Sequence, residues 1–373
     1  MALTLHGTVS DNTVALDRKT ATPLIINGDM AIAQRGTSVT GVTGSGSPVV
    51  IDRFRNVISS LGTWTVSQST DVPTGQGFTN SFKMDCTTAE TSPSASSYNT
   101  LSHRFEGQNL QMLKKGTSSA ESVTVSFWVK ATKTGTNIVE LYDQDNARQI
   151  SQAYTIDSAN TWEKKVLSFA GDTTGALDND NAFSMQIQFW LGAGSDRTSG
   201  TLNTSWASIT NANRVVGQVN HADSTSNDWY ITGVQLEVGT FDSNSIPPFQ
   251  FEDRATSLAR CQRYFQIQVS GSTGSGYANG SFRTNNNAQI THHFRTEMRA
   301  NPTCTQIAGS NMIAHDTADG NNITITSIDS LLYNSNGGAI IAYNLSGTSA
   351  AAGDGCWIYN TGSTPGITFD SEL

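Results

Sequence analysis

VTVSFWVK, positions 123–130, alternates without a break. Val123, Val125, Phe127 and Val129 fall on one side of an extended chain, and Thr124, Ser126, Trp128 and Lys130 on the other. That is the pattern of a strand with one buried face. FSMQIQFWL at 183–191 repeats it, with Phe183, Met185, Ile187, Phe189 and Leu191 opposite Ser184, Gln186, Gln188 and Trp190. Clusters of turn formers, KTGTN at 133–137, GDTTG at 171–175 and GAGSDRTSG at 192–200, punctuate such segments. Many antiparallel strands over positions 46–240 predict a single β-sandwich or jelly roll.

The composition agrees. Of 373 residues 14% are charged and 36% hydrophobic, and Ser, Thr, Asn, Gln and Gly take the place of the missing charge. That mix suits turn-rich β proteins found on particle surfaces and outside cells. The net charge of −9 argues against nucleic acid and against an anionic membrane surface as partners, since both require a basic field. No apolar run reaches the ~20 residues of a membrane span, so no membrane insertion is expected. The opening MALTLHGTVSDN has no basic stretch followed by an apolar core, so no signal peptide is expected. Cys86, Cys261, Cys304 and Cys356 lie far apart without a CxxC spacing, which predicts free, mostly buried thiols.

Four regions follow. Positions 1–45 read as a short, mixed N-terminal segment and linker, to which the resemblance given below assigns attachment, with a brief strand at PLII (23–26), a turn at Asn27-Gly28 and a flexible SVTGVTGSGSP (38–48). The sandwich occupies 46–240. Positions 241–266 form a linker, stiffened by Pro247-Pro248, and a short helix. Positions 267–373 form a further, C-terminal β domain. In FEDRATSLARCQRYFQ (251–266), Phe251, Ala255, Leu258, Cys261, Gln262 and Phe265 share one side of a helix. Acids stand in its first turn and arginines in its last. The stripe is too short to be stable alone. It either packs with other copies around a symmetry axis or docks within its own chain.

Four features, in order, resemble the tail-fibre and host-recognition proteins of tailed bacteriophages. They are LIINGDMAIAQRGTS followed by VVIDRF (49–54); SVTVSFWVKATKTG with ANTWEKKVLSF; DWYITGVQLEVG leading through Pro-Phe and Glu-Asp-Arg to LARCQRYFQ; and FRTEMRANPT (294–303) with the ending TFDSEL. The region holding SVTVSFWVKATKTG and ANTWEKKVLSF is similar to a carbohydrate-binding-module jelly roll. The resemblance implies a homotrimeric virion component, folded in the host cytoplasm, with other virion proteins held through the N-terminal segment. It implies a host cell-surface glycan as partner.

Strand faces supply the candidate glycan site. Opposite the aliphatic side stand Trp128, Lys130, Gln186, Gln188 and Trp190, and in NIVELYD Glu140 and Tyr142 fall together. An indole packs on the apolar face of a sugar ring while amides bind hydroxyls. Alternatively these tryptophans fill an interface or lie under a loop such as 192–200, while Trp162 and Trp229 cover sheet edges. Asp143 and Asp145 in DQDNAR, and Asp178 and Asp180 in LDNDNAF, are oxygen ligands of the kind that hold a structural Ca²⁺. A solvated turn is the plainer reading of each, and no cofactor is otherwise expected. Glu106, Glu140, Asp143, Asp145 and Glu163 contain no pair singled out for glycoside hydrolysis. His292 and His293, adjacent on a strand, face opposite ways.

The sequence therefore predicts a non-enzymatic fibre or receptor-binding appendage. The alternatives are a head fibre, decoration or collar protein, and, further off, a surface-polysaccharide depolymerase.

Overall fold

In the computed structural model, which describes residues 19–44, 46–268, 275–308, 311–347, 349–362, 364 and 366–373, the alternating segments are strands of two β units. One unit runs to Arg254 and the other spans Ala255–Glu372. The chain is mainly β, with a sandwich, a short helix and a second β unit. Among the described residues no helix is long and apolar enough to cross a membrane.

The first unit contains β1 (Ser38–Val42), β2 (Phe54–Ser59), β3 (Thr63–Ser69), β4 (Ser81–Thr88), β5 (Tyr98–Glu106) and β6 (Val123–Ala131). It continues with β7 (Gly135–Asp143), β8 (Arg148–Ile156), β9 (Glu163–Phe169), β10 (Phe183–Ala193), β11 (Ala207–Ser208) and β12 (Asp228–Val238). A front sheet has the order β1-β3-β4-β12-β6-β9 and a back sheet the order β11-β8-β7-β10-β5-β2. Val125, Phe127 and Val129 from the front meet Leu141, Ile187 and Phe189 from the back in one core, all without exposure. Trp64 and Trp229 are also fully buried there. Trp229 is thus a core residue and not the edge cover that its position suggested.

The N-terminal stretch corrects the sequence reading. Ser38–Val42, read as linker, is the strand β1, paired to β3 through Val39↔Val66 and Val42↔Trp64. Val42 contributes its side chain to the sandwich core. PLII is not a strand, yet Ile25 and Ile26 are buried. Asn27 staples the loop, giving Nδ2 to the carbonyls of Ile32 (2.9 Å) and Asp52 (3.0 Å) and accepting from Ile32 N–H. At Gly28 a Cβ would stand 2.1 Å from Val234 O, so any side chain would push the loop off β12. Residues 24–42 therefore belong to the sandwich. Of the expected attachment segment, positions 1–18 lie outside the described residues.

The helix is shorter than its stripe, Arg254–Gln262. Phe251 precedes it, and Phe265 opens a strand. Of the six stripe residues, Cys261, Gln262 and Phe265 are already buried in the single chain, Leu258 is half-buried, and Ala255 and Phe251 are exposed. Three of the candidates for an interface with other copies are thus covered within their own chain, as the alternative reading of docking within the chain has it.

The second unit holds β13 (Phe265–Gln268), β14 (Ser275–Thr284), β15 (Asn287–His293), β16 (Thr303–Gln306) and β17 (Met312–Asp316). After these come β18 (Asn322–Asn334), β19 (Gly338–Leu345), β20 (Gly355–Asn360) and β21 (Ile367–Asp370). Strands β14-β15-β19-β18-β17-β20 close into a barrel, and β13-β21-β16 form a small sheet. Alternation on β15 buries His292 and leaves His293 outside. His292 bonds Gln268 Oε1 and Tyr343 Oη, each at 2.8 Å. All four cysteines are free, and three are buried. Burial pushes the Cys86 thiol up to about 11 and those of Cys304 and Cys356 up to about 12.

Candidate functional site

Phe127 and Phe189 decide where the candidate residues go. Their rings, one from each sheet, meet edge to face with centroids 5.1 Å apart in the interlayer. Trp128 and Trp190, each one residue further along, therefore point to opposite outer surfaces. The single saccharide face expected from the sequence is two faces. Trp128 and Lys130 belong to the front sheet; Glu140, Tyr142, Gln186, Gln188 and Trp190 belong to the back. Period-two alternation separates inside from outside but does not assign a strand to a sheet.

The back set is largely sealed. The connection from β10 to β12 brings Arg214 across it, with Nε and Nη2 each 2.8 Å from an oxygen of Glu140 and Nη2 also 3.0 Å from Gln188 Oε1. Trp190 Nε1 donates to Glu140 Oε2 at 3.1 Å. Trp190 packs with Ile138 and Val215 in a small apolar cluster. Glu140 has no exposure and Trp190 only 1%. Burial works against the Arg214 charge, but Glu140 outweighs it and raises its pKa. Gln186 and Gln188 are nearly buried, and Gln186 accepts from Arg104. Tyr142 alone is half-open. Trp190 and Glu140 thus hold a loop down instead of meeting a ligand.

The front sheet is different. Between Thr232 and Gln235 the register of β12 against β6 shifts by a bulge. Gly233 in that bulge has φ +62°, and a Cβ there would stand 2.6 Å from the Phe78 ring. The glycine is what lets the tip of the Phe78 ring come down on the strand. Gln235 gives Nε2 to Pro247 O at 3.0 Å, which ties the Pro-Pro segment across the sheet. That places Phe249 and Phe251 with Phe78 in a triad whose centroids are 4.8–5.1 Å apart. Together with Trp128, Ser126 and Gln76 these rings line a pocket of about 340 Å³. Phe251 is 49% exposed at its rim. Lys164, opposite Trp128 in register, also lines it. Desolvation lowers its pKa, and no acid neutralises it among the described residues.

Lys130 does not join this pocket. It pairs with Asp71 and lies 4.5 Å over the Tyr230 ring. Trp162 Nε1 donates to the same Asp71 at 2.9 Å. Partial burial works to raise the Asp71 carboxyl, but Lys130 and Trp162 outweigh it and hold it below the usual range.

Of the weak calcium candidates, Asp143, Asp145 and Asp180 accept hydrogen bonds from the chain itself, and Asp178 is exposed. Asp143 has no exposure, and its Oδ2 receives the buried Lys115 ammonium, which also reaches Asp172 Oδ2 (2.8 Å) and Gly175 O (3.0 Å). Asp145 accepts from the N–H of Asp178, 33 positions away, and ties the two loops together, while Asp180 accepts from Ala182 N–H within its own turn. The lysine ammonium thus supplies the positive charge beside Asp143 and Asp172. Trp206 roofs this corner, 4.6 Å from the ammonium. Among the acids weighed for hydrolysis, Glu106, Glu140 and Asp143 are buried, and Glu163 binds the backbone N–H groups of Asp157 and Ser158.

Phe78, Phe249, Gln235 and Lys164 were not singled out from the sequence. Two signals point to them. One is the lone glycine inside the strand-like ITGVQLEV, which marks a bulge or close approach. The other is the Phe249-x-Phe251 spacing after two prolines, which is extended and not helical.

No family model and no curated protein matches the chain. Among solved structures, the enzymatically active domain of bacteriophage CBA120 tailspike protein 4 is 15% identical, with a TM-score of 0.30, over 58% of this chain and 21% of its own. The chain thus spans about a fifth of that tailspike chain. A putative sugar binding protein from Bacteroides thetaiotaomicron is 13% identical, with a TM-score of 0.31, over 58% of this chain and 100% of its own. The C-terminal family 22 carbohydrate binding module of Clostridium thermocellum Xyn10B is 14% identical, with a TM-score of 0.27, over 56% and 98% respectively.

Proposed function

We propose that the chain is an adhesive module that holds a host surface saccharide on the outer face of its front sheet and releases it unchanged. The observation that carries this reading is the half-open Trp128 beside the Phe78–Phe249–Phe251 triad, in a pocket of about 340 Å³ that also offers Gln76, Gln235 and Lys164. Ligand pockets are mostly apolar with a few convergent polar groups, and their volumes begin at about 300 Å³. Rings stack on the apolar face of a pyranose, while amides and an ammonium meet its hydroxyl or carboxylate edge.

The order of the sequence motifs supports a place on the outside of a tailed phage, as a fibre or receptor-binding appendage working as a homotrimer. Weak sites become effective there because three on one body raise each other's effective concentration.

The test is calorimetric titration of the full chain with purified host capsule and lipopolysaccharide, with light scattering for its mass. Trp128→Ala removes a stacking platform worth about 1.5 kcal/mol, so affinity falls about tenfold. Equal affinity in the wild type, Trp128→Ala and Phe251→Ala would overturn the assignment of the site. Release of oligosaccharides would overturn the non-cleaving role, and a monomeric mass at every concentration would overturn the trimer.

A further inference from the structure

In the second unit, β17 ends on Asp316, and the turn TADGN carries the chain into β18. The turn is tight: Gly320 N–H bonds Asp316 O at 3.0 Å with φ +73° at the glycine, and Asp316 N–H bonds Asn321 O at 2.9 Å. Beside it runs β20, in register through Asp316↔Cys356, with Asp354 just ahead of that strand. One carboxylate oxygen from each of Asp316, Asp319 and Asp354 lies within 4.8 Å of the other two.

Proximity of acids alone is common. What sets this group apart is the state of Asp316. Its side chain has no exposure. Oδ1 accepts from the N–H groups of Ala318 (2.9 Å) and Asp319 (3.3 Å). Oδ2 is shut off from solvent and has no hydrogen-bond partner. No lysine or arginine pairs with any of the three acids among the described residues. An ionised carboxylate oxygen buried without a partner is costly, and a cation held by this group of acids offsets that cost.

We propose that Asp316, Asp319 and Asp354 form a calcium site that ties the β17–β18 turn to the start of β20. Calcium binds oxygen at 2.3–2.6 Å, so two oxygens on one ion lie no more than about 5 Å apart, as these do. An all-carboxylate set is hard and favours Ca²⁺ over zinc or copper. Asp316 supplies the dry ligand, whereas exposed Asp319 and half-exposed Asp354 leave a route for the ion and room for its remaining waters. The site is separate from the saccharide pocket and independent of that assignment.

The experiment uses the full chain, stripped with chelator and titrated with Ca²⁺ by calorimetry and with Tb³⁺ by luminescence. Trp357, the only tryptophan after residue 254, follows Cys356 on β20 and acts as a local antenna. One saturable Ca²⁺ site is expected, with affinity on the order of 10⁻⁴ M. Asp319→Asn and Asp354→Asn, both at the surface, are each expected to weaken it by about tenfold while the calcium-free protein melts as before. Trp357→Phe is expected to remove the Tb³⁺ signal and keep Ca²⁺ binding. No saturation up to about 10 mM, ten times the weakest affinity of calcium modules, would overturn the proposal. Saturation untouched by both surface variants, or Tb³⁺ luminescence untouched by Trp357→Phe, would overturn it as well.

Discussion

Arg214 grips Glu140 by both ends, Nε to Oε1 and Nη2 to Oε2 at 2.8 Å each, and the carboxylate has no contact with solvent. The pair fixes the connection that covers the back sheet. Arg214→Ala strands a buried charge, which costs about 3–5 kcal/mol. Replacing both partners with apolar side chains, as in Glu140→Leu with Arg214→Met, restores most of that stability. Urea melts of the two variants measure the difference. Loss of any activity in a Glu140 variant would therefore report on folding first.

Gly233→Ala tests how the saccharide pocket is built. The new Cβ meets the Phe78 ring at 2.6 Å on a backbone with φ +62°. A destabilisation of about 1–3 kcal/mol is expected from the strained conformation, together with loss of saccharide binding and retention of the β-sheet circular dichroism.

The back sheet serves as the control surface. Tyr142→Ala and Gln186→Ala are expected to leave saccharide affinity within about twofold, because changes far from a site act independently of it. The same titrations read this out. A tenfold loss in either variant would move the site to the other face.

Acid is expected to weaken both units. His221 and His292 are buried, and burial lowers each pKa from 6.5 to about 3. The imidazoles stay neutral in the folded chain, while the unfolded chain takes up a proton on each below pH 6.5. Stability is therefore full above 6.5 and falls as the pH drops, until about 3. The slope is about 1.4 kcal/mol per pH unit for each histidine. Denaturant midpoints between pH 6.5 and 4.5, where most carboxylates remain ionised, check it. His292→Gln flattens the slope in the second unit.

Much of the fold was legible because its signal is local. Strict alternation at 123–130 and 183–191 correctly separated Phe127 and Phe189, which face the core, from Trp128 and Trp190, which do not. The pairing of strands across the molecule is not local, so nothing in either segment said that the two tryptophans sit on different sheets. Nor does a strand pattern show which outward residues a distant segment covers. Arg214 lies 74 positions from Glu140, and Phe251 reaches the pocket from a segment that Gln235 bonds at Pro247. Ser38–Val42 looked like linker because its small residues carry no periodicity; Val42 becomes apolar core only beside Trp64.

The Lys115 amine, enclosed by Asp143, Asp172 and Gly175, gives the sandwich a counter-ion that cannot be washed away. It is covalently part of the chain and arrives with synthesis. A chelating buffer has no ion to take from Asp143 and Asp172, whose positive partner is tethered to the backbone.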